Sequence, residues 1–120
     1  MCYTVSVVKK GYRKEEKVMV KYTVYMGLFD KDSKRQEYNT ITAYKMIQNI
    51  ATKTFDGATI SEANGIYKHD NGDIVVEPTI RIELLFTDLE TVKGFCNELK
   101  GMFNQESIVL QVEEVNSMLI

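Results

Sequence analysis

Four groups of residues in this chain combine types and spacings that could do chemistry. Gly72-Asp73-Ile74-Val75-Val76-Glu77 ends an apolar run on a carboxylate directly before Pro78, so Glu77 could hold a ligand hydroxyl or cap a backbone amide, and capping is the favoured reading. Phe103-Asn104-Gln105-Glu106-Ser107 gathers polar groups where a helix should meet a strand; they either cap the helix or turn Gln105 and Glu106 into a cleft, where an amide and a carboxylate fix a donor and acceptor pattern. Tyr25, Tyr67 and Arg81 supply aromatic rings and a planar guanidinium, which suit an anion attached to an aromatic ring, as in a nucleotide, and equally suit a dimer interface with a polar rim. Phe55-Asp56-Gly57-Ala58-Thr59-Ile60 followed by Ala63-Asn64-Gly65-Ile66-Tyr67 reads first as a helix stop and a bulged strand.

Other chemistries are poorly served. The one histidine, His69, sits in the turn composition His69-Asp70-Asn71-Gly72-Asp73 and reads as a solvated turn residue rather than a general base. Cys2 and Cys96 have neither disulfide-framework nor metal spacing, and Cys96 reads as a small buried apolar residue. Phosphate loops, dinucleotide fingerprints and metal-ligand clusters are missing from the sequence, so no catalytic residue, metal or cofactor is expected and an enzyme is the less favoured class. Fifteen Lys and Arg against seventeen Asp and Glu give a net charge of −2, without the basic field that a nucleic-acid polymer requires. Apolar stretches fall far short of a membrane span, and no signal-peptide pattern implies export; the expectation is a cytoplasmic protein.

The elements that must position these residues follow from periodicity. Val20 to Met26 alternates as a strand, with Val20, Tyr22, Val24 and Met26 on one face. Asn39 to Phe55 places Ala43, Met46, Ile47, Ile50 and Ala51 at helical spacing, with Asn39 or Thr40 as N-cap and Asp56-Gly57 as the stop. A strand from Ala58 to about Lys68 meets a hairpin turn at Asp70-Asn71-Gly72-Asp73 and a long strand from Ile74 to Phe86. Gly65 and Pro78 predict bulges, a close backbone approach or unpaired backbone there. Thr87-Asp88-Leu89-Glu90 fits a capping box. The helix it opens carries Leu89, Val92, Phe95, Cys96, Leu99 and Met102 or Phe103 on its apolar stripe, and Ile108 to Val112 closes the domain as a strand.

Strand, helix, strand, strand, helix, strand predicts an α+β ferredoxin-like sandwich, a four-stranded antiparallel sheet with both helices on one face. Its other face, carrying Thr23, Tyr25, Arg81, Glu83, Leu85, Val109 and Gln111, is too apolar for bulk water and too polar for a core, which predicts a homodimer or larger homo-oligomer. Residues 19–120 make one domain. Residues 1–18 read as a leader or non-core extension: Lys14-Glu15-Glu16 can be encoded AAG-GAG-GAA, which resembles a ribosome-binding site just upstream of the Met19 codon. The competing reading makes Tyr3 to Val8, which is β-branched and weakly alternating, a short edge strand.

Taken in order, Phe55-Asp56-Gly57-x-Thr59-Ile60, Ala63-x-Gly65-x-Tyr67, Gly72-x-Ile74-Val75-x-Glu77 and Phe103-x-Gln105-Glu106-Ser107 resemble a family of small bacterial and phage proteins of uncharacterised function. The family runs Phe-Pro-Asp-Gly-Leu-Thr, Ala-x-Gly-x-Trp, Gly-x-Ile-x-x-Glu and Phe-x-Gln-Glu-Ser or Ala segments; this chain lacks the proline before Asp56 and has Tyr67 for the tryptophan. It is similar to a divergent branch carried by clostridial phages and mobile elements. The resemblance implies the sandwich fold and no particular activity. With the small size and the Tyr/Arg face, it leads to the expectation of a phage or mobile-element protein that counters host defence by sequestering a nucleotide-derived signalling molecule without turnover. Its ligand-binding residues would be Tyr25, Tyr67, Glu77, Arg81, Gln105 and Glu106. The alternatives are an enzyme on a small polar substrate, with Glu77 and Glu106 as acid and base, or a protein-binding inhibitor that uses the open sheet.

Overall fold

A computed structural model describes residues 4–7 and 16–120. Cys2 and most of the charged stretch that begins at Lys9 lie outside the described residues. The strands are β1 (Thr4–Val7), β2 (Glu16–Gly27), β3 (Thr59–Lys68), β4 (Ile74–Leu84) and β5 (Val109–Asn116), with helices α1 (Thr40–Thr54) between β2 and β3 and α2 (Leu89–Met102) between β4 and β5.

Four strands form the expected antiparallel sheet in the order β5-β2-β4-β3. Each helix carries the chain over one strand: β3 lies beyond β4 from β2, and β5 lies beyond β2 from β4. The chain is therefore a ferredoxin-like α+β sandwich. β1 pairs with the start of β2, Thr4 opposite Met19 and Val7 opposite Glu16, on the edge that β4 occupies further along.

The core lies between one sheet face and the helices. Tyr22, Val24 and Met26 of β2 and Ile80, Ile82 and Leu84 of β4 all point there, as period-two alternation requires. Ala43, Ile47, Ile50 and Ala51 of α1 and Val92, Phe95, Cys96 and Leu99 of α2 close over them, and the Phe55 and Phe95 rings meet edge to face at 5.0 Å between centroids. Phe103, rather than Met102, completes the α2 stripe.

Asn39 is the N-cap of α1, its side-chain oxygen accepting from the Thr42 amide at 2.8 Å. The expected capping box before α2 is displaced by one residue. Asp88 is the cap, accepting from the Thr91 amide and hydroxyl at 2.9 and 3.0 Å, while Thr87 is buried. A carboxylate accepts two donors at once, so it outcompetes the neighbouring hydroxyl for the free amides.

No bulge occurs at Gly65 or Pro78: β3 and β4 pair one for one from Thr59 opposite Glu83 to Lys68 opposite Ile74. The close approach at Gly65 is real but made by a side chain, because a Cβ there would stand 2.8 Å from the Tyr67 hydroxyl. Pro78 lies where the β2–β4 ladder stops; its carbonyl still accepts from the Leu28 amide at 2.9 Å, and its missing donor is on that same edge. β4 ends at Leu84 rather than Phe86, since Phe86 takes φ 59°, which breaks an extended strand. β5 runs longer than the apolar pattern, to Asn116, because pairing with β2 extends it through polar residues.

Candidate functional site

Where β2 leaves the sheet, the chain forms a tight loop closed by a bridge between Phe29 and Gln36. Asp30 organises it: one carboxylate oxygen accepts from the Asp32 and Ser33 amides at 2.8 and 3.0 Å. These bonds, with one from the Asn104 side chain, hold the Asp30 carboxyl below its ordinary pKa. Asn104, in left-handed backbone (φ 48°) just after α2, donates to Asp30 and Asp32 at 2.9 and 2.8 Å and accepts from the Lys31 amide. The buried Gln105 side chain donates to the Phe29 carbonyl at 2.8 Å and to the Phe103 carbonyl at 3.2 Å. The loop after β2 is thus fastened to the junction of α2 with β5.

Glu77 fastens it from a third side. Its carboxylate lies over Gly27 and accepts from the Phe29 amide at 2.8 Å. A Cβ at position 27 would overlap that carboxylate, so the glycine is there to let Glu77 cross. Glu77 therefore caps a backbone amide, although no bulge accompanies it.

On the open sheet face beside these bonds is a cavity of about 700 Å³. Tyr25, Tyr67, Glu77, Gln105 and Glu106 line it, drawn from β2, β3, β4 and the segment before β5. Five of the six residues named from the sequence thus meet at one place. Arg81, the sixth, stands outside the lining. It forms an ion pair with Glu83, donates from Nε to the Tyr25 hydroxyl at 3.3 Å, and sits 6.0 Å from the Tyr25 ring centroid. The Tyr25 hydroxyl and, after it, the Glu83 carboxylate raise the guanidinium above its ordinary pKa. Lys21 continues this charged row, 3.6 Å from Glu83 and 3.7 Å from Glu113. Arg81 is linked to the cavity lining by its hydrogen bond to Tyr25.

The sequence reading missed Phe29, Asp30, Lys31 and Lys34, which also line the cavity, and His69, read as a turn residue, is on its rim. The Asp30-x-x-Ser33 turn signature was the available signal for the loop, but its docking partner Asn104 is 74 positions away. Among the described residues no three His, Cys, Asp or Glu side chains are grouped as metal ligands, and no helix is long and apolar enough to cross a membrane.

Solved structures that share this fold include two phage proteins. A phage SAM lyase in complex with S-methyl-5'-thioadenosine is similar with a TM-score of 0.58 at 19% identity, covering 82% of this chain and 90% of that one. A phage SAM lyase in the apo state is similar with a TM-score of 0.55 at 17% identity, covering 96% of this chain and 99% of that one. At these identities the likeness is one of fold. No family model and no curated protein matches the chain.

Proposed function

We propose that the cavity binds an adenosine-type small molecule and that its ligand is S-adenosylmethionine or a thioether derived from it. The observation that carries this reading is the meeting of two tyrosines, three carboxylates and a buried amide in one cavity of about 700 Å³, ample for a nucleoside with a short chain. Tyrosine faces suit a purine ring. The Gln105 amide oxygen accepts from no described residue, so it is available to a ligand donor. Glu77 and Glu106 place negative charge where a sulfonium would be stabilised. The two lyases, one holding S-methyl-5'-thioadenosine, support the choice of ligand.

The lyase reading also fits a site without a general acid. Release of S-methyl-5'-thioadenosine from S-adenosylmethionine breaks the bond between sulfur and the γ-carbon of the methionine chain. The carboxylate oxygen of the same methionine arm forms the new bond to the γ-carbon and closes a lactone, while the electron pair of the broken bond stays on sulfur, so the leaving group is a neutral thioether that needs no proton. Such a reaction asks for positioning and charge stabilisation rather than a histidine. Glu77 and Glu106 then act as electrostatic groups instead of an acid and base pair. Either as a lyase or as a stoichiometric trap for an adenosine-derived signal, the protein would serve a phage or mobile element against host defence by removing a host metabolite.

Purified protein incubated with S-adenosylmethionine and followed by mass spectrometry tests the reading. Catalytic accumulation of S-methyl-5'-thioadenosine, lost in Glu77→Gln, is the expected result. One bound nucleoside per site without product indicates sequestration, and no product and no calorimetric heat with either compound refutes the reading. The mixed polarity of the open face, together with exposed Ile66, Ile74 and Val76 on the β3–β4 hairpin, supports self-association. Light scattering should give at least a dimer, and a 13.8 kDa particle at micromolar concentration would count against it.

A further inference from the structure

We propose that the loop after β2 is an anion-reading rim of the cavity and that Lys34 takes an anionic group of the ligand; this rests on the adenosine-type reading above. Lys34 has φ 62°, in the left-handed region that glycine occupies without steric cost and a lysine does not. The turn itself makes no use of the lysine side chain. Its bonds are the Asp30 amide to the Arg35 carbonyl, the Lys34 amide to the Asp30 carbonyl, and the Asp30 carboxylate to two amides. A glycine would make every one of them. What lysine adds is a cationic side chain at a residue of the cavity lining, and Lys34 has no ion-pair partner among the described residues.

Asp30, Glu77 and Glu106 share the lining, but none forms an ion pair with Lys34 within 4.0 Å among the described residues. Asp30 is positioned by its own loop amides and Asn104, and Glu77 by the Phe29 amide, so the geometry of both carboxylates is fixed without Lys34. Lys31 also lines the cavity, but only Lys34 of the two has left-handed backbone. The loop is fastened at Asn104 and Gln105, so the ammonium is carried on a fixed support and not on a free tail. Residues in sparsely populated backbone regions cluster at ligand sites and switch regions. On a ligand of the adenosine type, the group Lys34 would meet is a carboxylate on an amino-acid arm or a phosphate on the ribose.

Calorimetry on the full chain with two pairs of probes tests this. S-adenosylhomocysteine against S-methyl-5'-thioadenosine reads a carboxylate, and AMP against adenosine reads a phosphate. Lys34→Gly should weaken the charged member of one pair about 5- to 20-fold, as loss of a charge-assisted hydrogen bond would, and leave its uncharged partner within about 2-fold. Lys34→Arg should keep most of the affinity, and the urea midpoint of Lys34→Gly should be equal to or above that of the parent. Equal loss for both members of each pair, no loss at all, or a lowered midpoint would overturn the inference while leaving the adenosine reading in place. Absence of binding by either uncharged nucleoside to the parent protein would remove that reading and the inference with it.

Discussion

Gly27→Ala should destabilise the protein through Glu77, and the effect should disappear when Glu77 is absent. The new methyl group would occupy the volume in which the Glu77 carboxylate crosses β2. That carboxylate is the end of a flexible side chain, so steric strain alone would be relieved cheaply by swinging it aside. The cost is chemical: the Phe29 amide loses its acceptor, and a hydrogen bond to a charged group is worth roughly 1.5–3 kcal/mol. Replacing a strand glycine offsets roughly 0.5–1 kcal/mol of that through chain entropy. The net expectation for Gly27→Ala is a loss of about 1–2 kcal/mol. In a Glu77→Ala background the same change should be neutral or stabilising by up to about 1 kcal/mol, so the coupling between positions 27 and 77 should reach about 1.5–3 kcal/mol. Urea unfolding of the parent, both single variants and the double variant measures it. Additive single effects would refute the argument, since they would mean that Glu77 does not occupy the space over Gly27.

Three further outcomes follow from the geometry. Asp30 and Asp88 have folded pKa values below their unfolded ones, so their contribution is complete above the unfolded value and is lost as pH falls through the folded values; the urea midpoint should drop below about pH 4, and Asp30→Asn with Asp88→Asn should flatten that slope. Burial raises the Cys96 thiol above its ordinary pKa, so peptide mass spectrometry should find it unalkylated in native protein at pH 8 and modified in urea; rapid native labelling would contradict its place in the core. Arg81→Ala should leave the secondary structure intact by circular dichroism and weaken nucleoside binding less than Tyr25→Ala does, because Arg81 reaches the cavity through the Tyr25 hydroxyl; a larger loss for Arg81→Ala by calorimetry would make it a direct contact.

Much of this architecture was written in short-range pattern. Period-two runs in Val20 to Met26 and Ile80 to Leu84, and helical spacing from Ala43 to Ala51 and from Val92 to Leu99, report which side of each element is apolar, and burial of those sides leaves one arrangement of two helices on a sheet. Element ends were less legible. The cap of α2 is Asp88 rather than Thr87, and β5 continues to Asn116, because competition between adjacent acceptors and pairing with a neighbouring strand are not encoded in periodicity. Candidate polar residues were recognisable by type, since an amide, carboxylate or tyrosine outside the apolar pattern stands out.

Their grouping depended on contacts between distant segments. Tyr25, Tyr67, Glu77, Gln105 and Glu106 meet because the antiparallel register sets Tyr25 opposite Val109 and Gly65 opposite Glu77, and no local signal carries a register. Arg81 shares the face of Tyr25, as alternation required, yet the Glu83 and Tyr25 side chains hold it away from the cavity lining. The loop carrying Lys31 and Lys34 is placed by Asn104 and Gln105, which lie more than 70 residues further along the chain. Sequence period reports which way a side chain points, whereas a cavity is made by what points the same way from elsewhere, and only packing brings those residues together.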